Sequence, residues 1–352
     1  MTIFSRLFTL LSALPTSSPP KYSNHTYSLQ YTYNSTNFFD KFEFLNLPDP
    51  QEGLVTYANV TTAKEMGLAG VSDGRVFLRA DMARNNAEGK RDSVWVQGRE
   101  AFDAGSLFVV DMQSMPANAC GAWSRLHTSN KNPSMLKAEI NIVQTSNLEN
   151  KNIISLLTAA PDICHFAFPQ PMEGKTNTNN TNLDKQLGTL TSTNCSEPWK
   201  GCTVQGPQGD IADGFNNVTV GGGIWAMALE HDAIRVWRFF RRDSPREVRE
   251  GGVVDVGGWG VPCATFQYRY EDDNCDIFGI FRNQALNFKI DFCGYGFDPD
   301  YWKTNGCAAA TKYPDCEGFV RENPDKFKTI GWEINSIKIY QHCDINDLDC
   351  RN

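Results

Sequence analysis

What most constrains this chain is its punctuation. Short β-branched or aromatic runs recur along most of its length, each bounded by Gly, Pro, Asn or Ser, and helical periodicity is scarce. Asp92 to Val96, Leu107 to Asp111, Ala138 to Val143, Ile224 to Leu229, Ile234 to Phe240 and Ile337 to Tyr340 are predicted strands, with His231-Asp232 as the turn between two of them. From Leu286 to Phe292 apolar and polar residues alternate without a break, the pattern of a half-buried strand. The polar stretch from Thr176 to Asn182 reads as a surface loop, and no unit repeats at the spacing of a solenoid. These features imply an all-β, two-sheet antiparallel sandwich with long loops.

Composition narrows the function classes. With 33 Lys+Arg against 41 Asp+Glu the net charge is −8, which argues against a nucleic-acid binder. Eleven cysteines in 352 residues, none before Cys120, are too many for a typical cytosolic enzyme and too dilute for a small disulfide scaffold. Arg6 and the apolar run from Leu7 to Leu14 suggest a secretory signal over residues 1–20. The sequons at Asn24, Asn34, Asn59, Asn179, Asn194 and Asn217 support export. No run of apolar residues is long enough to span a membrane. Spacing suggests the pairs Cys195 with Cys202 and Cys343 with Cys350, though spacing alone leaves connectivity open. Residues 343–352 read as a short acidic tail. The five histidines show no metal-ligand spacing, and no nucleotide fingerprint is present, so no metal or other cofactor is expected.

The segment most suggestive of chemistry is Ala138-Glu139-Ile140-Asn141-Ile142-Val143-Gln144. Side chains 139 and 141 share a face because strand side chains alternate. Position 144 falls on the other face unless one extra residue bulges from the ladder, after which 139, 141 and 144 face one cleft together. Such a constellation suits glycoside hydrolysis, with a merely polar outer face as the plainer reading.

The surrounding blocks resemble glycoside hydrolase family 16, in particular its fungal endo-1,3(4)-β-glucanase-like (laminarinase-like) branch. They include Phe38-Phe39-Asp40-Lys41-Phe42-Glu43-Phe44, Met115-Pro116 before Cys120-Gly121-Ala122-Trp123, Gly221-Gly222-Gly223-Ile224-Trp225, Arg235-Val236-Trp237, Trp259-Gly260-Val261-Pro262 and Asp291-Phe292-Cys293-Gly294, in family order. The resemblance implies a concanavalin-A-like β-jelly roll over residues 21–342 as a single domain, with a glycan cleft and loops tied by disulfides. A structural Ca²⁺ is implied by the resemblance alone. Cys263 interrupts the Trp-Gly-x-Pro block and is the expected unpaired thiol.

The family's active strand is Glu-x-Asp-x-x-Glu: nucleophile, tuning Asp, acid/base. Carried over, Glu139 fits the nucleophile, while Asn141 and Gln144 replace the other two. A retaining mechanism needs two carboxyl groups about 5–5.5 Å apart. An amide at 144 cannot deliver a proton, so a general-acid contribution on the order of 10²–10⁴-fold is lost. Around the same cleft the usual Pro-Ala-Phe-Trp becomes Ser124-Arg125-Leu126-His127, a His becomes Leu157, and an Arg becomes Trp95. Trp95, Trp123, His127 and Trp225 are the candidate sugar-contacting side chains, with core or inter-sheet packing as the other reading for Trp123, as for Trp237, Trp259 and Trp332. The expectation is a secreted, monomeric protein that binds β-1,3- or β-1,3/1,4-glucan-like polysaccharide, with hydrolysis absent or weak. The rival is an active glucanase or transglycosylase using a displaced acid, Glu149 or Asp162.

Overall fold

A computed structural model describes residues 25–83, 89–116, 118–132, 135, 137–159, 164–166, 182–198, 200–208, 215–216, 221–267, 274–294 and 299–343. The signal segment 1–20, the loop 176–181, Asn24, Asn179, Asn217, Asp162, Cys350 and the tail from 344 lie outside these residues.

Two antiparallel sheets pack face to face. In spatial order the eight-stranded sheet runs Thr189–Ser192, Cys202–Gln208, Lys151–Thr158, Ala138–Ser146, Ala122–Asn130, Gln284–Phe292, Trp95–Gly98 and Phe42–Phe44. The nine-stranded sheet centres on Gly331–His342, Ser106–Ser114, Gly223–Leu229 and Ala233–Phe240. The predicted strands are present, except that Asp92 to Val96 divides into Arg91–Ser93 and Trp95–Gly98. His231 and Asp232 bend between strands as expected.

The main core lies between the sheets. Val96, Leu126, Ile140, Leu156, Phe288 and Ile290 from one sheet meet Phe108, Val110, Trp225, Met227, Trp332 and Ile337 from the other. Phe288 and Trp332 make an edge contact at 5.5 Å between ring centroids. A second apolar cluster covers the other face of the nine-stranded sheet, where Leu107, Ile224, Ala226 and Trp237 lie under Val248, Val254 and Trp259. That sheet is therefore buried on both faces. Trp237, Trp259 and Trp332 pack as the sequence suggested.

Four disulfides join Cys120 to Cys307, Cys164 to Cys275, Cys195 to Cys202 and Cys293 to Cys316. The local 195–202 loop is thus closed as its spacing suggested, and Cys263 is a buried thiol. Cys343 is disulfide-bonded. The strand-dominated pattern had not revealed three short helices, Pro299–Thr304, Cys307–Thr311 and Cys316–Glu322, of which the bridges from Cys120 and Cys293 fasten the last two. They wall one end of the eight-stranded sheet. Gly121, at φ +86°, allows this approach, since a Cβ there would collide with Val320. Arg91 donates to the Val320 carbonyl at 2.6 Å from the sheet side. Among the described residues no helix is long and apolar enough to cross a membrane.

Candidate active site

Register defines the face of the eight-stranded sheet that points away from the core. Ser129, His127, Arg125 and Trp123 lie opposite Glu139, Asn141, Gln144 and Ser146 on one side. On the other side they lie opposite Ala285, Asn287, Lys289 and Asp291. Rows across the sheet follow: Ser129 with Glu139 and Leu157, then Gln97, Asn287, His127, Asn141 and Ser155, then Trp95, Lys289, Arg125 and Gln144.

This alignment depends on one extra residue. Pairing between the strands shifts between Asn141 and Val143, so Ile142 is the bulged position and Gln144 joins the face of Glu139 and Asn141. A bulge leaves ladder groups unpaired, and Asn152 satisfies two of them. Its Oδ1 accepts from the Gln144 N–H at 2.9 Å, and its Nδ2 donates to the Ile142 carbonyl at 2.9 Å.

At the Glu139 end a polar network fixes the floor. Trp95 Nε1 and Gln97 Nε2 both donate to Asn287 Oδ1, at 3.1 and 3.2 Å, while Asn287 Nδ2 donates to Ser129 Oγ at 3.0 Å. Asn141 donates to Ser155 Oγ at 2.9 Å. Leu157 stands beside Glu139 and offers no polar atom there.

Beside this network lies a buried charge cluster that the sequence did not announce. Lys289 is wholly covered, with Nζ 2.9 Å from Asp49 and 3.2 Å from Asp291. Its ammonium also lies over the Trp95 and Tyr57 rings, at 4.7 and 5.2 Å. The Tyr57 hydroxyl donates to Asp291. Burial raises the Asp49 carboxyl, but Lys289 and the Gly53 and Gln51 N–H groups outweigh it and leave the group below its ordinary pKa. Burial pushes Asp291 up, opposed in part by Lys289 and Arg125. Tyr57 is raised well above its ordinary value by burial and then by the Asp291 charge.

Arg125 spans this region. Its Nη1 is 3.5 Å from Glu139 and its Nη2 3.9 Å from Asp291, with the guanidinium over the Trp123 ring at 5.0 Å. The Arg125 side chain is 7% exposed and that of Glu139 37%.

The candidate sugar-contacting residues separate. Trp95 is half-buried on the outer face. Trp123 is on that face but largely covered, at 6% exposure. His127 is also on it, yet only 1% exposed, so its ring has no surface on which a sugar could stack. Burial first, then Arg125 and Lys289, hold its imidazole well below the ordinary pKa. Trp225 corrects the expectation outright: it is fully buried between the sheets and faces away from the cleft side. Of the displaced acids, Glu149 lies in the turn beyond the Ala138–Ser146 strand. No group of three or more His, Cys, Asp or Glu side chains suited to a metal occurs among the described residues. Of the sequon residues described, Asn59 caps the helix Val60–Glu65 and is exposed, while Asn34, which ends the strand Thr26–Asn34, and Asn194, bridged to His165, are partly buried.

The XgeA-like glycoside hydrolase family 16 catalytic-domain model matches residues 42–340. The chain belongs to glycoside hydrolase family 16. Within it, a protein of Aspergillus niger named as a probable endo-1,3(4)-β-glucanase is 33% identical over 326 residues, covering 90% of this chain and 40% of that protein. The endo-1,3(4)-β-glucanase of Emericella nidulans is 32% identical, covering 90% of this chain and 47% of the relative. The chain spans less than half the length of these two curated relatives. Among solved structures, laminarinase 16A from Phanerochaete chrysosporium, holding β-glucans in donor and acceptor sites, superposes with TM-score 0.75 at 26% identity, over 90% of this chain and 100% of that one. An elongating family 16 β-1,3-glucosyltransferase gives TM-score 0.75 at 30% identity over the same shares. On the eight-stranded sheet, Asn141 and Gln144 stand on the same face as Glu139.

Proposed function

We propose that this chain is a secreted family 16 protein that binds β-1,3- or β-1,3/1,4-glucan-like polysaccharide on the outer face of the eight-stranded sheet, with hydrolysis absent or very weak. One observation carries the reading: the bulge that aligns the three motif positions is intact, yet it presents a single carboxylate, Glu139, and Gln144 has no proton to give. The intact bulge, its Asn152 clasp and the ordered polar floor support retention of the face for a ligand. The glucanases and β-glucan complexes among its relatives support the ligand class.

Two assays test it. Pull-down on insoluble β-1,3-glucan is expected to retain the protein. Reducing-sugar release from laminarin or lichenan is expected to stay at least about 10²-fold below that of a family member with all three carboxylates, the low end of a general acid's contribution. Turnover at an ordinary enzyme rate that Glu139→Gln abolishes would overturn the reading and favour an active glucanase with a displaced acid.

A further inference from the structure

We propose that Arg125 closes the reacting subsite, so that hydrolysis is blocked by an occupied space as well as by two missing carboxylates; the inference rests on the glycan-face reading above. Position 125 carries a guanidinium on the outer face of the sheet, between the rows of Glu139 and Asp291. Its direction follows from register. Arg125 is opposite Gln144, and Glu139 is opposite Ser129, four residues further along the same strand. An Arg125–Glu139 contact at 3.5 Å therefore crosses the intervening row of His127 and Asn141. Those two side chains are 1% and 2% exposed. The same gap, between Glu139 and Gln144, is where a sugar ring must enter for its anomeric carbon to meet Glu139.

The guanidinium is held there from three sides, by Glu139, by Asp291 and by the Trp123 ring. Each carboxylate also has compensation besides Arg125. Asp291 already has Lys289 at 3.2 Å, and Glu139 keeps more than a third of its side-chain surface in water. A role in reading an acidic sugar is disfavoured by charge, because Arg125 and Lys289 share this region with three carboxylates, Asp49, Asp291 and Glu139. What remains is occupation of space combined with neutralisation of the one carboxylate that could attack.

Calorimetric titration of the full chain with laminarihexaose tests this. Arg125→Ala is expected to bind at least tenfold more tightly than the wild type, and Arg125→Gln, which cannot reach both carboxylates, at least threefold; unfolding curves establish that each variant is folded. Unchanged or weaker affinity in a folded variant overturns the inference. The two readings separate cleanly: wild type retained on insoluble glucan with no gain in the variants defeats the plug alone. Gain in the variants with no retention of the wild type defeats the glycan-binding reading alone.

Discussion

The strand Gln284–Phe292 has two faces that are equally dry and chemically opposite. Inward, Leu286, Phe288, Ile290 and Phe292 join the core between the sheets; outward, Asn287, Lys289 and Asp291 are just as buried. The inward face is held by dispersion and apolar burial, which are non-directional and need no specific partner. The outward face is held by compensation among charges, where each ion is affordable only while its partners remain. Alternation in the sequence therefore marks two environments correctly while implying the wrong hydration for one of them.

The sharpest way to break this comparison is to truncate neighbours on opposite faces. Phe288→Ala is expected to cost about 3–5 kcal/mol through lost transfer energy and the cavity it leaves. Lys289→Ala is expected to cost a similar amount, about 3–5 kcal/mol, by stranding Asp49 and Asp291. Denaturant titration at two pH values separates the causes. At acid pH, where the two carboxyls are protonated, the Lys289→Ala cost should shrink and the Phe288→Ala cost should not. Equal costs at both pH values would mean that Lys289 contributes packing alone.

A smaller effect sharpens the comparison at the bulge. Asn152 serves two backbone groups that the displaced ladder leaves over. Asn152→Ala should cost about 1–3 kcal/mol, the penalty for buried polar groups left unsatisfied. The accompanying loss of glucan retention should exceed that of an equally destabilising core variant, because the bulge sets where Gln144 points. If retention tracks stability alone, the bulge has no bearing on the face.

How much of this was legible follows from where each signal resides. The sandwich, the bulge condition and the local Cys195–Cys202 bridge are short-range patterns, and each survives in the structure. Trp225 was misplaced because Gly223–Leu229 is buried at every position, so the strand carries no alternation from which to choose a face. Its other face is covered by a second apolar cluster built from distant segments. The helical wall at 299–322 was missed because its helices run only five to seven residues and the last two are anchored by bridges to Cys120 and Cys293. Arg125 appeared in the sequence only as a substitution. Its partners Glu139 and Asp291 lie on different neighbouring strands, and no local pattern reports such pairs.

The smallest expected effect isolates the polar face through its pH dependence. His127 is buried, and burial with the Arg125 and Lys289 charges depresses its native pKa well below the ordinary value near 6.5. The unfolded chain takes up a proton at this ring as pH falls through that ordinary value, and the native chain does not. Stability is therefore intact above it and declines below it, until the pH reaches the depressed native value. One proton difference corresponds to about 1.4 kcal/mol per pH unit at full effect. His231, which burial also holds below its ordinary value, adds in the same direction, so the contrast must be with a variant. In denaturant titrations at pH 7.5, 6.5 and 5.5, His127→Asn should flatten this decline whatever its absolute stability, while Phe288→Ala should keep the wild-type slope. A wild-type slope in His127→Asn would mean that the native imidazole takes up its proton over the same pH range as in the unfolded chain, and the charge arrangement around Arg125 would then need a nearby carboxylate to offset burial.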